Sequence, residues 1–137
     1  MDLKHGIEYL KSLGLPADQF MVVSSGALAV RGIREARDID LIVTESLWDE
    51  LAAKYPVSEE HGVERIDLGS DIDLLNPKQS KFGSMSPIPL DELLKEADVF
   101  YGVRFINLKH LQVIKQAMGR EKDLRDIELI DEYLKSA

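Results

Sequence analysis

Apolar residues recur along the chain in two rhythms. Near the start, Leu3, Ile7 and Leu10 fall three or four apart, which predicts a helix stopped by Gly14 and Pro16 of "LGLP". "QFMVV" then reads as a short strand, "SSGALAVRG" as a turn and a brief helix ending at Gly32, and "RDIDLIV" as the strongest strand of the chain. The helical rhythm returns in "LWDELAAKY", opened by a capping box of Ser46 with Asp49 and closed by Pro56. "GVERIDL" and "DIDLL" alternate with period two around Gly69-Ser70, the pattern of a hairpin. "LDELLKEA" predicts a helix and "YGVRFI" a further strand. Leu108, Leu111, Ile114 and Met118 stripe one closing helix, stopped by Gly119, and Leu124, Ile127, Ile130 and Leu134 stripe a second.

The pattern lapses only in "NPKQSKFGSMSPIP" (76–89), and long irregular segments in compact domains are often functional. These elements predict an α+β fold, a small mixed sheet with helices against it and a C-terminal helical pair. With 137 residues and no linker or repeat, one domain over 1–137 is expected, with the core sheet in 20–75 and the helical pair in 107–136.

Composition narrows the chemistry. The chain has no cysteine, so disulfides and thiolate metal sites are excluded, and three scattered histidines argue against a histidine zinc site. No apolar run suits a membrane span and the charged N-terminal segment is unlike a signal peptide, so a cytoplasmic protein is expected. A net charge of −8 opposes strong non-specific nucleic-acid binding, while clustered carboxylates favour divalent cations.

The carboxylates of "DIDLIV" are the feature that ordinary folding does not explain. Asp38 and Asp40 share one face of a strand, their Cα atoms ~6.6 Å apart, while Ile39 and Leu41 face the other way. Two like charges so close repel unless one protonates or a cation sits between them. The hard cation that takes carboxylate oxygens and keeps positions open for phosphate is Mg²⁺; solvated acids at a strand end are the alternative. Just upstream, Ser24, Ser25 and Gly26 form a small-residue turn between strand and helix, where backbone N–H groups become available to phosphate. N-capping by Ser25 is the competing explanation.

"VVSSGALAVRGIREARDIDLIV" resembles the signature of the nucleotidyltransferase (DNA polymerase β-like) superfamily: a hydrophobic strand, Gly-Ser or Gly-Gly, a short helix, then Asp-x-Asp within a strand. "GIREARDIDL" and "LQVIKQAMGREKDLRDI" are most similar to the AbiEii-type and minimal nucleotidyltransferase group of small bacterial proteins, so the resemblance covers roughly residues 20 to 131. It departs at Ser24, where the family has its first glycine. The resemblance implies Mg²⁺-dependent transfer of a nucleoside monophosphate from an NTP, with a two-metal site on Asp38, Asp40 and a third acid. Asp73 fits that third position best and Asp71 is the alternative, with Asp67 also in range. It further implies that Ser24, Ser25 and Gly26 cradle the β- and γ-phosphates, and that Arg34 neutralises the acidic site or a phosphate. Lys115, Arg120 and Lys122 match recurring family positions that contact phosphates or hold the helical tail; surface pairing is the alternative for all three, as of Arg120 or Lys122 with Glu121, Asp123 and Asp126, and Arg31 and Arg37 read as surface charges. Trp48 reads as core, and Phe82 and Met85 as a border for a base or acceptor. Family acceptors include small molecules, RNA ends and protein side chains, and so short a chain suits a partner protein as acceptor, as in a toxin–antitoxin pair. A binding module that keeps the fold without turnover is the second expectation.

Overall fold

A computed structural model of the chain describes residues 2–136. In chain order the elements are α1 (Leu3–Ser12), β1 (Phe20–Val23), α2 (Ser25–Ala29), β2 (Ile39–Val43), α3 (Glu45–Ala52), β3 (Ser58–Glu60), β4 (Val63–Gly69), β5 (Ile72–Leu75), α4 (Leu90–Lys95), β6 (Asp98–Phe100), β7 (Val103–Phe105), α5 (Leu108–Met118) and α6 (Glu121–Ser136). The strands form one mixed sheet of order β3-β4-β5-β2-β1-β7-β6. The α+β class, the mixed sheet and the C-terminal helical pair are those the apolar pattern implies. No helix among the described residues is long and apolar enough to cross a membrane.

The three most apolar runs become the central strands. β1 pairs antiparallel with β2, and β2 pairs parallel with β5. Ile39, Leu41, Ile42 and Val43 of β2 are fully buried, as are Met21, Val22 and Val23 of β1. Helices add Ile7 and Leu10 from α1, Leu47, Trp48 and Leu51 from α3, and Leu111 and Ile114 from α5 to the same core. Each such side chain, removed from water, contributes roughly 1.5–3 kcal/mol. That burial fixes strand register, because a slip of one residue would turn Asp40 inward and Leu41 outward.

Two edge strands, β3 and β6, have no counterpart in the sequence expectation. Each has three residues, too few for an alternating pattern, and β3 ("SEE") is wholly exposed. Their turns explain them. His61-Gly62 and Tyr101-Gly102 both take positive φ, as the tightest hairpins require, and Ser70-Asp71 does the same between β4 and β5.

Three local details differ from the sequence expectation. Thr44, not Ser46, caps α3, its hydroxyl accepting the Leu47 N–H at 3.3 Å. The segment 76–89 is a chain of pinned turns. Asn76 Nδ2 donates to Glu64 Oε1 at 2.9 Å, Ser84 N–H donates to the Pro77 carbonyl at 2.7 Å, and Phe82 is buried. Gly83 is required there, since a Cβ would lie 2.1 Å from the Pro77 oxygen.

The third difference is in α6. Leu124 and Leu134 are 44% and 39% exposed, and the buried positions are Asp123, Asp126 and Ile130. Of the predicted stripe, Ile130 is buried and Ile127 half-buried, while the inward face shifts toward Asp123 and Asp126, where Arg34, Lys115 and Arg120 meet the helix.

Candidate active site

Strand pairing assembles the acids. Asp40 stands opposite Asp73 across the parallel β2–β5 pair, and Asp73 opposite Asp67 across β5–β4. Asp40 is also the partner of Val23, the last residue of β1, so the turn at Ser24 begins beside it. Asp38 lies just before β2 and is exposed. Asp71 is in the Ser70-Asp71 turn, where its carbonyl accepts the Ile39 N–H at 2.8 Å; of the two candidates, Asp73 is the one on the face of Asp40. Asp67 is exposed and accepts the Gly69 N–H at 2.8 Å.

A cleft of about 540 Å³ joins these groups. Ser24, Ser25, Asp38, Asp40 and Asp73 line it, together with Phe82, Met118, Arg120 and Lys122. Gly26, Arg34, Lys115 and Met85 do not. Another depression of about 620 Å³, with Glu96 and His110 on its wall, is larger, but only the smaller one unites the paired acids with the serine turn.

Ser24 holds φ +57° and ψ −129°, a conformation nearly reserved for glycine. The backbone therefore keeps the shape that the resemblance assigns to a glycine, at a cost in strain of order 1–3 kcal/mol. Ser24, rather than Ser25, is the N-cap of α2, and its side chain makes no capping hydrogen bond. Gly26 is buried inside α2, where a Cβ would lie 2.6 Å from Val22 Cγ1. Its lack of a side chain lets the helix seat directly on β1.

The basic residues form a chain of contacts from the turn to the tail. Arg34 donates to Ser25 Oγ at 3.2 Å and holds both Asp126 oxygens, at 2.8 and 2.9 Å. Lys115, 2% exposed, places its ammonium 2.9 Å from Asp126 and 3.3 Å from Asp123. Arg120 grips Asp123 at 2.6 and 3.1 Å. Burial opposes charge on both aspartates, but Arg120 and Lys115 around Asp123, and Arg34 and Lys115 around Asp126, hold both carboxyls below the usual range. Lys115 is thus held inside this network, between two carboxylates. Arg31 is not a surface charge: its side chain is 4% exposed, pairs with Asp98 at 2.6 Å and lies 5.0 Å from the Phe100 ring centre.

The residue missing from the sequence expectation is Arg65 of β4. Its Nη1 lies 3.2 Å from Asp73 Oδ2 and 3.6 Å from Asp40 Oδ1, and its Nε lies 3.7 Å from Glu60. Asp40 Oδ1 is buried with no hydrogen-bond partner among the described residues. Burial, reinforced by Asp38 and by Asp73 and only partly offset by Arg65, pushes the Asp40 carboxyl up to about 6. Burial also raises Asp73, against the pull of Arg65. Two half-buried carboxylates on one face, one of them with a buried oxygen that has no partner among the described residues, suit a hard cation.

A second cluster can also hold a metal ion. Glu92, Glu96 and His110 bring one ligand atom each within 4.8 Å of one another, and among the described residues they alone make such a three-residue group. Asp38, Asp40 and Asp73 are therefore not closed around one point. His110 Nε2 already lies 3.0 Å from Glu96, and its Nδ1 faces Asn107 Nδ2 at 3.1 Å. Because Asn107 Nδ2 is a donor, Nδ1 accepts there and the neutral ring carries its proton on Nε2. A metal at Nε2 would have to displace that proton.

Compared with protein-family models, curated proteins and solved structures, the chain matches none.

Proposed function

We propose that the chain is a Mg²⁺-dependent nucleotidyltransferase that moves a nucleoside monophosphate from an NTP to an acceptor hydroxyl. The observation that carries this reading is the register of β2 and β5, which sets Asp40 beside Asp73 at the point where β1 runs into the Ser24 turn. Asp73 lies far along the sequence from the turn and from Asp40, yet all of them line one cleft.

Asp40 and Asp73 would be metal ligands, with the exposed Asp38 completing the set. Bound Mg²⁺ would supply charge neutralisation on the triphosphate and orientation for in-line displacement. The turn at Ser24 and Ser25, where α2 begins, would receive the β- and γ-phosphates, with Gly26 letting the helix sit close against β1 beneath it. Ser25 Oγ accepts from Arg34, which leaves its own O–H free to donate into the cleft. Arg120 and Lys122, also lining the cleft, would attract the polyphosphate. Asp73, across the strand pair from Asp40, would complete the metal site and help activate the acceptor hydroxyl. Phe82 offers an apolar surface to a base or acceptor. The acceptor fits a partner protein, RNA end or small molecule, including a toxin–antitoxin partner.

A second reading, a nucleotide-binding module without turnover, has an observation in its favour. Arg65 stands between the two carboxylates, where a cation would sit. The test is incubation of the protein with Mg²⁺ and each α-labelled NTP in cell extract. Label on a discrete acceptor, lost in Asp40→Asn and Asp73→Asn, supports the enzyme. Saturable NTP binding with no label transferred supports the module.

A further inference from the structure

The three arginines nearest the site differ in how they hold acids. Arg34 on Asp126 and Arg120 on Asp123 each use two nitrogens on two oxygens, the parallel geometry that makes a strong, oriented lock. Arg65 does not. It faces three carboxylates, Asp40, Asp73 and Glu60, and makes one side-chain hydrogen bond, 3.2 Å to Asp73. Its buried Nε has no hydrogen-bond partner among the described residues, and neither has the Asp40 oxygen that Nη1 approaches at 3.6 Å. A guanidinium built as a permanent lock would satisfy those atoms, since each buried orphan costs about 1–3 kcal/mol.

The same nitrogen, Nη1, lies between Asp40 and Asp73. Without a positive charge there, two neighbouring half-buried carboxylates would repel. Glu60, on the exposed edge strand β3, gives the side chain somewhere else to go without moving the backbone of β4.

We propose that Arg65 is the resident counter-cation of the Asp40–Asp73 pair, that it competes with a divalent cation for those carboxylates, and that Glu60 receives it when the cation binds. This rests on the metal-site reading above. The metal-free site is then held in order and in check by the same side chain. Loading requires the metal to displace a guanidinium, which lowers apparent metal affinity and favours the metal that arrives with a polyphosphate.

Mn²⁺ alone, followed by its electron paramagnetic resonance signal, tests the competition in the full chain without nucleotide. Arg65→Met should bind Mn²⁺ at least about tenfold more tightly than the wild type, since a unit charge a few ångströms from the site is removed. A merely structural arginine would give the opposite result, weaker binding through disorder of the acids. Equal or weaker affinity in Arg65→Met, alongside wild-type binding that Asp40→Asn abolishes, overturns the proposal and leaves the metal site standing. Failure of both wild type and Arg65→Met to bind Mn²⁺ overturns both. Should Arg65→Met not fold, the wild type still reports. The Arg65 Nε–Hε resonance should move on Mg²⁺ titration along the same saturation curve as metal binding, and a fixed resonance while metal binds contradicts the exchange.

Discussion

Asp40 and Asp73 face each other across two parallel strands, with Arg65 Nη1 3.6 Å from one and 3.2 Å from the other. The pairing places two half-buried acids side by side in the cleft, an arrangement that costs stability unless a cation is present.

That cost has a pH signature in the metal-free protein. Folding raises the Asp40 carboxyl to about 6 through burial and Asp38, while in the unfolded chain it ionises near its ordinary value. Between about pH 4 and 6 the folded state holds the extra proton, so this group's contribution to stability falls as pH rises through that window. Asp40→Asn should therefore be more stable than wild type at pH 7.5 by about 1–3 kcal/mol, and so unfold at higher temperature. The advantage should shrink toward pH 4. Thermal melts across that range check it, and an advantage that persists undiminished at pH 4 would count against the account.

The Ser24 turn predicts a gain of another kind. Ser24→Gly relieves a φ of +57° in a serine, and the added freedom of the unfolded chain returns part of the benefit. A net stabilisation of roughly 0.5–1.5 kcal/mol is expected in denaturant unfolding. Ser24→Ala, which keeps the strain, should show none.

Gly26 should tolerate no side chain. Gly26→Ala puts a methyl 2.6 Å from Val22 Cγ1 and should cost about 1–3 kcal/mol. In a Val22→Ala background the same substitution should cost less. Equal costs in the two backgrounds would show that the Val22 contact is not what excludes a side chain.

The tail network should fail as a unit. Lys115→Met leaves Asp123 and Asp126 buried with less positive charge and should cost about 3–5 kcal/mol at pH 7. Both carboxyls are lowered by folding, so their contribution is present above the ordinary carboxylate range and lost as pH falls below it. The wild type should thus lose stability steeply below about pH 4, and Lys115→Met less so.

Much of this was legible in the chain. The alternation of "RDIDLIV" and "DIDLL" placed Asp38, Asp40 and Asp73, and sheet order turned that parity into a shared face. Arg65 was legible by the same rule, two residues before Asp67 on the strand that pairs with Asp73, but a lone cation between acids reads as ordinary surface charge. Edge strands β3 and β6 are too short to carry a period, though "HG" and "YG" mark their turns. The inward face of α6 could not be read from its leucines, because Asp123 and Asp126 are buried by partners from α5, from the junction at Arg120 and from Arg34.

The most direct measurement of the central claim is anomalous diffraction from crystals of the chain soaked in Mn²⁺. The account predicts a peak between the Asp40 and Asp73 carboxylates, with Arg65 turned toward Glu60. Mn²⁺ held only by Glu92, Glu96 and His110, or no bound ion beside Asp40, would contradict it.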